Sequence, residues 1–251
     1  MSPMAISTFV FAGAFGGALL GMFIRDLLPE HHLSKDSQDV VKLGMGLIGT
    51  MSALVLGFLV ASAQGSYATR GSELTQMAAN TVLLDRVLAH YGTETKDARD
   101  LLRNAVAIVL EQTWREGSTE AAKFDPTAAR AEGLYDLINQ LTPRNEAQRS
   151  SQAEALTIAL NLAQMRWLLF EQSRGSIPMP FLVILGFWLC IIFVSFGLFA
   201  PSNGTVIATL LVCALSVAGA IFLILELDRP FEGLMQISSA PLHNALSHLG
   251  R

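Results

Sequence analysis

Three stretches of this chain run without a charged side chain for longer than a bilayer is thick. The longest lies between Arg174 and Glu226, 51 residues in all. A helix needs about 20 apolar residues to cross a hydrocarbon core of roughly 30 Å, so this stretch holds two spans. Pro201-Ser202-Asn203-Gly204 supplies the turn between them, and the sequon Asn203-Gly204-Thr205 reads as part of that turn. The other two stretches, Met1 to Ile24 and the 27 residues between Lys42 and Arg70, hold one span each. With 51% apolar and only 15% charged residues, the composition is that of an integral membrane protein. Four membrane-spanning helices are expected.

The order of polarity along the chain predicts its organisation. Residues 1–65 form a transmembrane hairpin of spans 1 and 2, 66–176 a polar region, 177–226 a second hairpin of spans 3 and 4, and 227–251 a tail. Ser66 to Arg174 carries 12 of the 17 Lys and Arg and 14 of the 21 Asp and Glu. Its apolar residues recur at helical spacing: Leu74, Met77, Ala78, Val82, Leu84, Val87 and Leu88 mark one helix, stopped at His90-Tyr91-Gly92. Leu101, Leu102, Ala105, Val109 and Trp114 mark the next. Glu116-Gly117-Ser118 and Asp125-Pro126 bracket a loop, and Leu134 to Leu141 form a short helix ended by Thr142-Pro143-Arg144. A long helix follows from about Asn145 to Gln172, with Ala155, Leu156, Ala159, Leu160, Ala163, Trp167 and Phe170 on its apolar side. No strand-like alternation competes, so the fold class is all-α. Arg25 to Lys42, broken by Pro29, reads as a connection, and its pair His31-His32 as solvated loop residues.

Within the spans, small residues share faces. Gly13, Gly17 and Gly21 repeat every four residues in span 1, a packing ladder. In span 2, Gly46, Thr50, Ala53, Gly57 and Ala61 line one side, with Leu47, Leu54 and Phe58 beside them. Two readings fit that pattern: a pore-lining helix, or ordinary close packing in a bundle. Phe187, Trp188, Phe193, Phe196 and Phe199 of span 3 suit lipid contact. Cys190 and Cys213, both inside apolar runs, read as small buried side chains. After span 4, Glu226, Asp228, Arg229, Pro230 and Phe231 form a membrane-exit motif in which Pro230 breaks the helix. Pro241 then opens a short amphipathic helix with Leu242, Ala245, Leu246 and Leu249 on one side, expected to dock on the polar region or lie on the membrane.

Several function classes are poorly served. There is no CxxC, HExxH, GxSxG or GxxxxGK[ST], no buried charge within a span, and no Lys/Arg block of the kind nucleic acid demands. No enzyme, cofactor, metal site or nucleic-acid partner is expected. The carboxylates near Pro230 read as a helix stop with ion pairs rather than a cation site.

Two stretches together resemble the bestrophins and, more closely, a bacterial membrane family described as bestrophin-like. The first is Ala53-Leu54-Val55-Leu56-Gly57-Phe58-Leu59-Val60 followed by Ser66-Tyr67-Ala68-Thr69-Arg70. The second is Glu226-Leu227-Asp228-Arg229-Pro230-Phe231. Leu84-Asp85-Arg86 and Ala89-His90-Tyr91-Gly92 are similar to the bacterial family as well. The resemblance implies a homo-oligomeric ion channel, a pentamer that mostly conducts anions such as chloride, in a bacterial inner membrane. It implies a neck of three rings from span 2, which fall here on Thr50, Leu54 and Phe58. Phe edges would offset part of an anion's desolvation, Thr50 would add hydroxyl donors, and Leu54 would act as a dewetting gate. The run before Arg70 lacks the family's acid. Positive charge near the membrane ends places the N-terminus, the helical domain and the tail on the cytoplasmic side. The rival reading is a non-conducting membrane scaffold or sensor whose helical domain binds a protein partner or signal.

Overall fold

The computed structural model describes residues 2–29, 34–114, 132–172, 177–231 and 233–250. Among these the chain is all-α. Its elements are α1 (Pro3–Leu27), α2 (Lys35–Tyr91), a single 3₁₀ turn (Thr93–Thr95), α3 (Lys96–Thr113), α4 (Glu132–Asn139), α5 (Glu146–Gln172), α6 (Met179–Phe199), α7 (Gly204–Leu227) and α8 (Ala240–His248). Four of them, α1, α2, α6 and α7, are long and apolar enough to span a membrane. The protein is therefore a multi-pass membrane protein with a helical region between its second and third spans.

The chain divides into two compact units, residues 1–65 with 176–228 and residues 66–175 with 229–251. The first is built around α1, which packs along α6 and against α7. Its glycines allow the approach. A Cβ on Gly21 would run into the Val194 carbonyl, and one on Gly17 would sit 3.3 Å from the Cys190 carbonyl. From the other side, a Cβ on Gly197 of α6 would strike the Ala18 carbonyl. Lipid tails are as apolar as side chains, so such helices associate by close contact rather than by the hydrophobic effect. Phe193, expected to face lipid, is instead buried with Ala14, Ala18, Met22, Leu210 and Ala214. Its place on α6 turns it towards the glycine-lined groove, while Phe187 and Phe196 face outwards. Cys213 is exposed and Cys190 half-buried, which corrects the reading of both as buried. Arg25 donates to the Ala200 carbonyl at 2.6 Å, placing a cation at the C-terminus of α6, where the helix dipole favours it.

Helix α2 starts seven residues before Lys42, so the supposed connection is largely helix. Ser34 is the reason: its hydroxyl accepts from the Ser37 amide at 3.4 Å, and Asp36 follows in the first turn, a favourable start for the dipole. The helix stops at Gly92, whose φ of 137° a side chain would strain.

The second unit encloses a core of Leu74, Leu84, Leu88, Leu102, Leu110, Ile138, Ala155 and Leu169. Phe231, Ile237, Leu242, Ala245 and Leu249 complete it, so α8 docks on the helical unit through the side read from the sequence. Leu160 and Trp167, assigned to the apolar face of α5, are half exposed. Asn145 caps α5 by accepting from the Gln148 amide at 2.8 Å. The loop marked by Glu116-Gly117-Ser118 and Asp125-Pro126 lies outside the described residues, as do His31, His32 and Glu232.

Candidate pore-lining site

Of the four spans, α2 is the one its own chain covers least. Only 11% of its most apolar stretch is buried, against 28–33% for the other three. Its attachment to the first unit is a narrow stripe of Val55, Leu56, Leu59 and Ala63, together with buried Ser52. At 3.6 residues per turn, the opposite side of the helix carries Leu47, Met51, Leu54 and Phe58, all exposed. Next to these on the exposed arc lie Gly46, Thr50, Ala53, Gly57 and Ala61. Thus the small face, and the bulky face apart from the side of Phe58 that meets α6, look away from the chain.

Thr50, Leu54 and Phe58 sit together on this arc. Leu54 is 75% exposed and Phe58 59%. Each step of four residues rotates by about 40°, so the three trace an oblique line around the helix rather than a straight row. Phe58 lies beside Phe181 of α6, ring centroids 6.3 Å apart and tilted by 41°. Thr50 departs from expectation. Its hydroxyl donates to the Gly46 carbonyl at 2.8 Å, the backward bond that Thr commonly makes within a helix. What Thr50 presents outwards is an acceptor oxygen, and donation to an anion requires χ1 to rotate. Gly46 and Gly57 have no atom within 4 Å of where a Cβ would stand. Gly13, Gly17 and Gly21 meet α6, as the fold shows, and the sequence reading missed their counterpart Gly197. The signal was there as a lone glycine among bulky residues in Phe196-Gly197-Leu198.

The residues after α2's apolar stretch anchor the second unit. Tyr67 donates to the Gln236 carbonyl at 3.3 Å, and buried Arg70 donates to the Gln172 carbonyl at 2.6 Å. In the final turn of α7, the last span, Glu226 is buried, which corrects the expectation of no buried charge within a span, and Asp228 caps that helix. Arg229 begins the tail's share of the second unit. The Pro230 carbonyl accepts from the Ile237 amide at 2.8 Å, closing a short loop. Phe231 meets Trp114 edge to face at 5.9 Å, and the Trp114 indole donates to the Ile237 carbonyl at 2.9 Å. Asp85 is buried, and Arg99 forks onto it with bonds of 2.7 and 3.0 Å. The Gly250 amide adds a third donor at 3.3 Å. Arg99 was not singled out from the sequence, where nothing distinguishes it from the other surface-spaced charges of α3. Among the described residues, no three of His, Cys, Asp and Glu gather as metal ligands would.

The model of the bestrophin-like domain matches residues 12–242. The chain belongs to the bestrophin-like family. A crystal structure of a bacterial bestrophin homolog from Klebsiella pneumoniae, carrying a point mutation, has a similar fold: TM-score 0.58, 13% identity, 96% of each chain covered. Among curated proteins no sequence matches. The bestrophin-like domain thus includes α2 from end to end, the Tyr67 and Arg70 anchors, and the Pro230-Phe231 loop.

Proposed function

We propose that this bestrophin-like protein is a homo-oligomeric channel in a bacterial inner membrane, conducting anions through a pore lined by the membrane part of α2. The carrying observation is the exposure of α2. A span that commits so little of itself to its own chain, while turning both glycines and an aliphatic-aromatic stripe outwards, is built to meet other copies of itself. The glycines allow close approach, and the large residues narrow the lumen. Leu54 and Phe58 form the constriction, with the Thr50 oxygen a turn before them. A pentamer is the assembly that the family resemblance suggests. The helical unit and tail lie on the cytoplasmic side, following the positive charges at 70, 86, 166, 174 and 229.

The test is flux of chloride and of potassium through purified protein in liposomes, with Leu54→Ala and Phe58→Ala alongside. Widening a dewetted constriction is expected to raise chloride flux severalfold, because the barrier there is the loss of hydration. Unchanged flux in both variants removes the pore assignment. Silence for every ion from an intact oligomer favours the scaffold or sensor reading, for which the exposed Leu160 and Trp167 offer a partner surface.

A further inference from the structure

The helical unit holds a cavity of about 290 Å³ between α2, α3, α4, α5 and α8. Its walls are almost wholly apolar, with Met77, Val106, Leu134, Ala159 and Leu242 contributed by different helices. Thr81 adds a hydroxyl whose proton is donated to the Met77 carbonyl at 2.7 Å, so it offers a ligand only an acceptor oxygen. Tyr135 and Trp167, 38% and 51% exposed, stand where the cavity meets the surface. Among the described lining residues Arg166 is the one charge.

We propose that this cavity binds an amphipathic organic acid bearing one negative charge, its carboxylate on Arg166 and its hydrocarbon between α3 and α5. The walls decide the body of the ligand. A sugar or nucleotide would leave several polar groups without partners, at a cost for each, whereas a hydrocarbon meets a matching surface. The single guanidinium decides the head. It offers five donors in a planar fork suited to a carboxylate, so a bond to a neighbour within the chain does not exhaust it. A neutral oil would gain nothing from it. The cavity lies wholly within the second unit, and the inference does not depend on the pore reading.

The experiment uses the full chain in nanodiscs with 6-bromohexanoate as probe, since bromine quenches nearby tryptophan. Saturable quenching in the unmutated protein is expected, and its loss in Trp167→Phe assigns the signal to the cavity mouth. The neutral 6-bromohexanol is expected to bind the unmutated protein at least about tenfold more weakly, because charge-assisted hydrogen bonds are the strong ones. Arg166→Gln should weaken the acid by a similar factor and leave the alcohol unchanged. Equal quenching by acid and alcohol overturns the proposal. Absence of saturable quenching by the acid leaves the cavity to protein, the chain's own or a partner's, and overturns it too. The acid-alcohol comparison needs no substitution, so a poorly folding Arg166→Gln variant does not remove the test.

Discussion

Gly16 and Gly197 are both helical glycines within spans, yet they stand against different surroundings. Nothing lies within 4 Å of a Cβ at Gly16, while one at Gly197 overlaps the Ala18 carbonyl. Backbone cannot swing aside as a long side chain can, so Gly197→Ala must separate α6 from α1 along their length. Overpacking of this kind costs about 1–3 kcal/mol, and Gly197→Leu more. Gly16→Ala should be neutral or slightly stabilising, since alanine is the better helix former. Thermal unfolding in detergent should separate the two variants clearly. Asp85 offers a second case. Asp85→Asn leaves the Arg99 guanidinium beside a neutral amide in a mostly buried place, and breaking a buried pair on one side costs about 3 kcal/mol. Chemical denaturation is the check, and it should show a larger loss than Asp85→Asn and Arg99→Met made together, since the double variant removes the cation together with the carboxylate it forks onto.

At the level of elements, the spans were legible because they follow from one number, the length of chain without charge, compared with the thickness of a bilayer. The glycine ladder of α1 was legible for a similar reason, being a period of four on a helix of known pitch. The run of α2 through 35–42 was not legible, because charged residues mask a helix start that depends on one hydroxyl, that of Ser34. Nor did Thr50 reveal where its proton goes. A residue type names a donor, but only local geometry shows which acceptor has taken it. Partnering across sequence distance was equally hidden: Arg99 with Asp85, Arg25 with the Ala200 carbonyl, and Gly197 with Ala18 need the fold to bring them together. Two glycines of α2 give predictions at this scale. Gly71 lies in the second unit with nothing within 4 Å of a Cβ, so Gly71→Ala should raise stability by up to about 1 kcal/mol. Gly57→Leu places bulk on the face proposed to meet another copy. Light scattering on the purified protein should then show smaller assemblies than the unmutated chain forms. An unchanged assembly places Gly57 against lipid or water instead.

At the scale of the whole molecule, each unit is assembled from two separated lengths of chain. The core of the second unit draws on Phe231, Ile237, Leu242, Ala245 and Leu249 as well as on 66–175. Ending the chain at Ser239 would uncover the surface that α8 closes and remove three of those side chains. Burying an aliphatic side chain contributes about 1.5–3 kcal/mol, so a loss of several kcal/mol is expected for that unit. Limited proteolysis should report it as rapid cutting within α3 and α5 in the shortened chain, against protection of those two helices in the longer one.

Such a division of the core sets an order of events during synthesis. The helical unit cannot close when residue 175 leaves the ribosome, because its last wall is still about 55–75 residues away, beyond two further spans. At about 5–20 residues per second, that gap lasts roughly 3–15 s. Throughout it, the pocket for Phe231 and α8 stands open while α6 and α7, the third and fourth spans, are being inserted. The membrane machinery thus completes its work on this chain before the water-soluble part can fold, and a stalled insertion would hand an unfinished core to the cell's proteases.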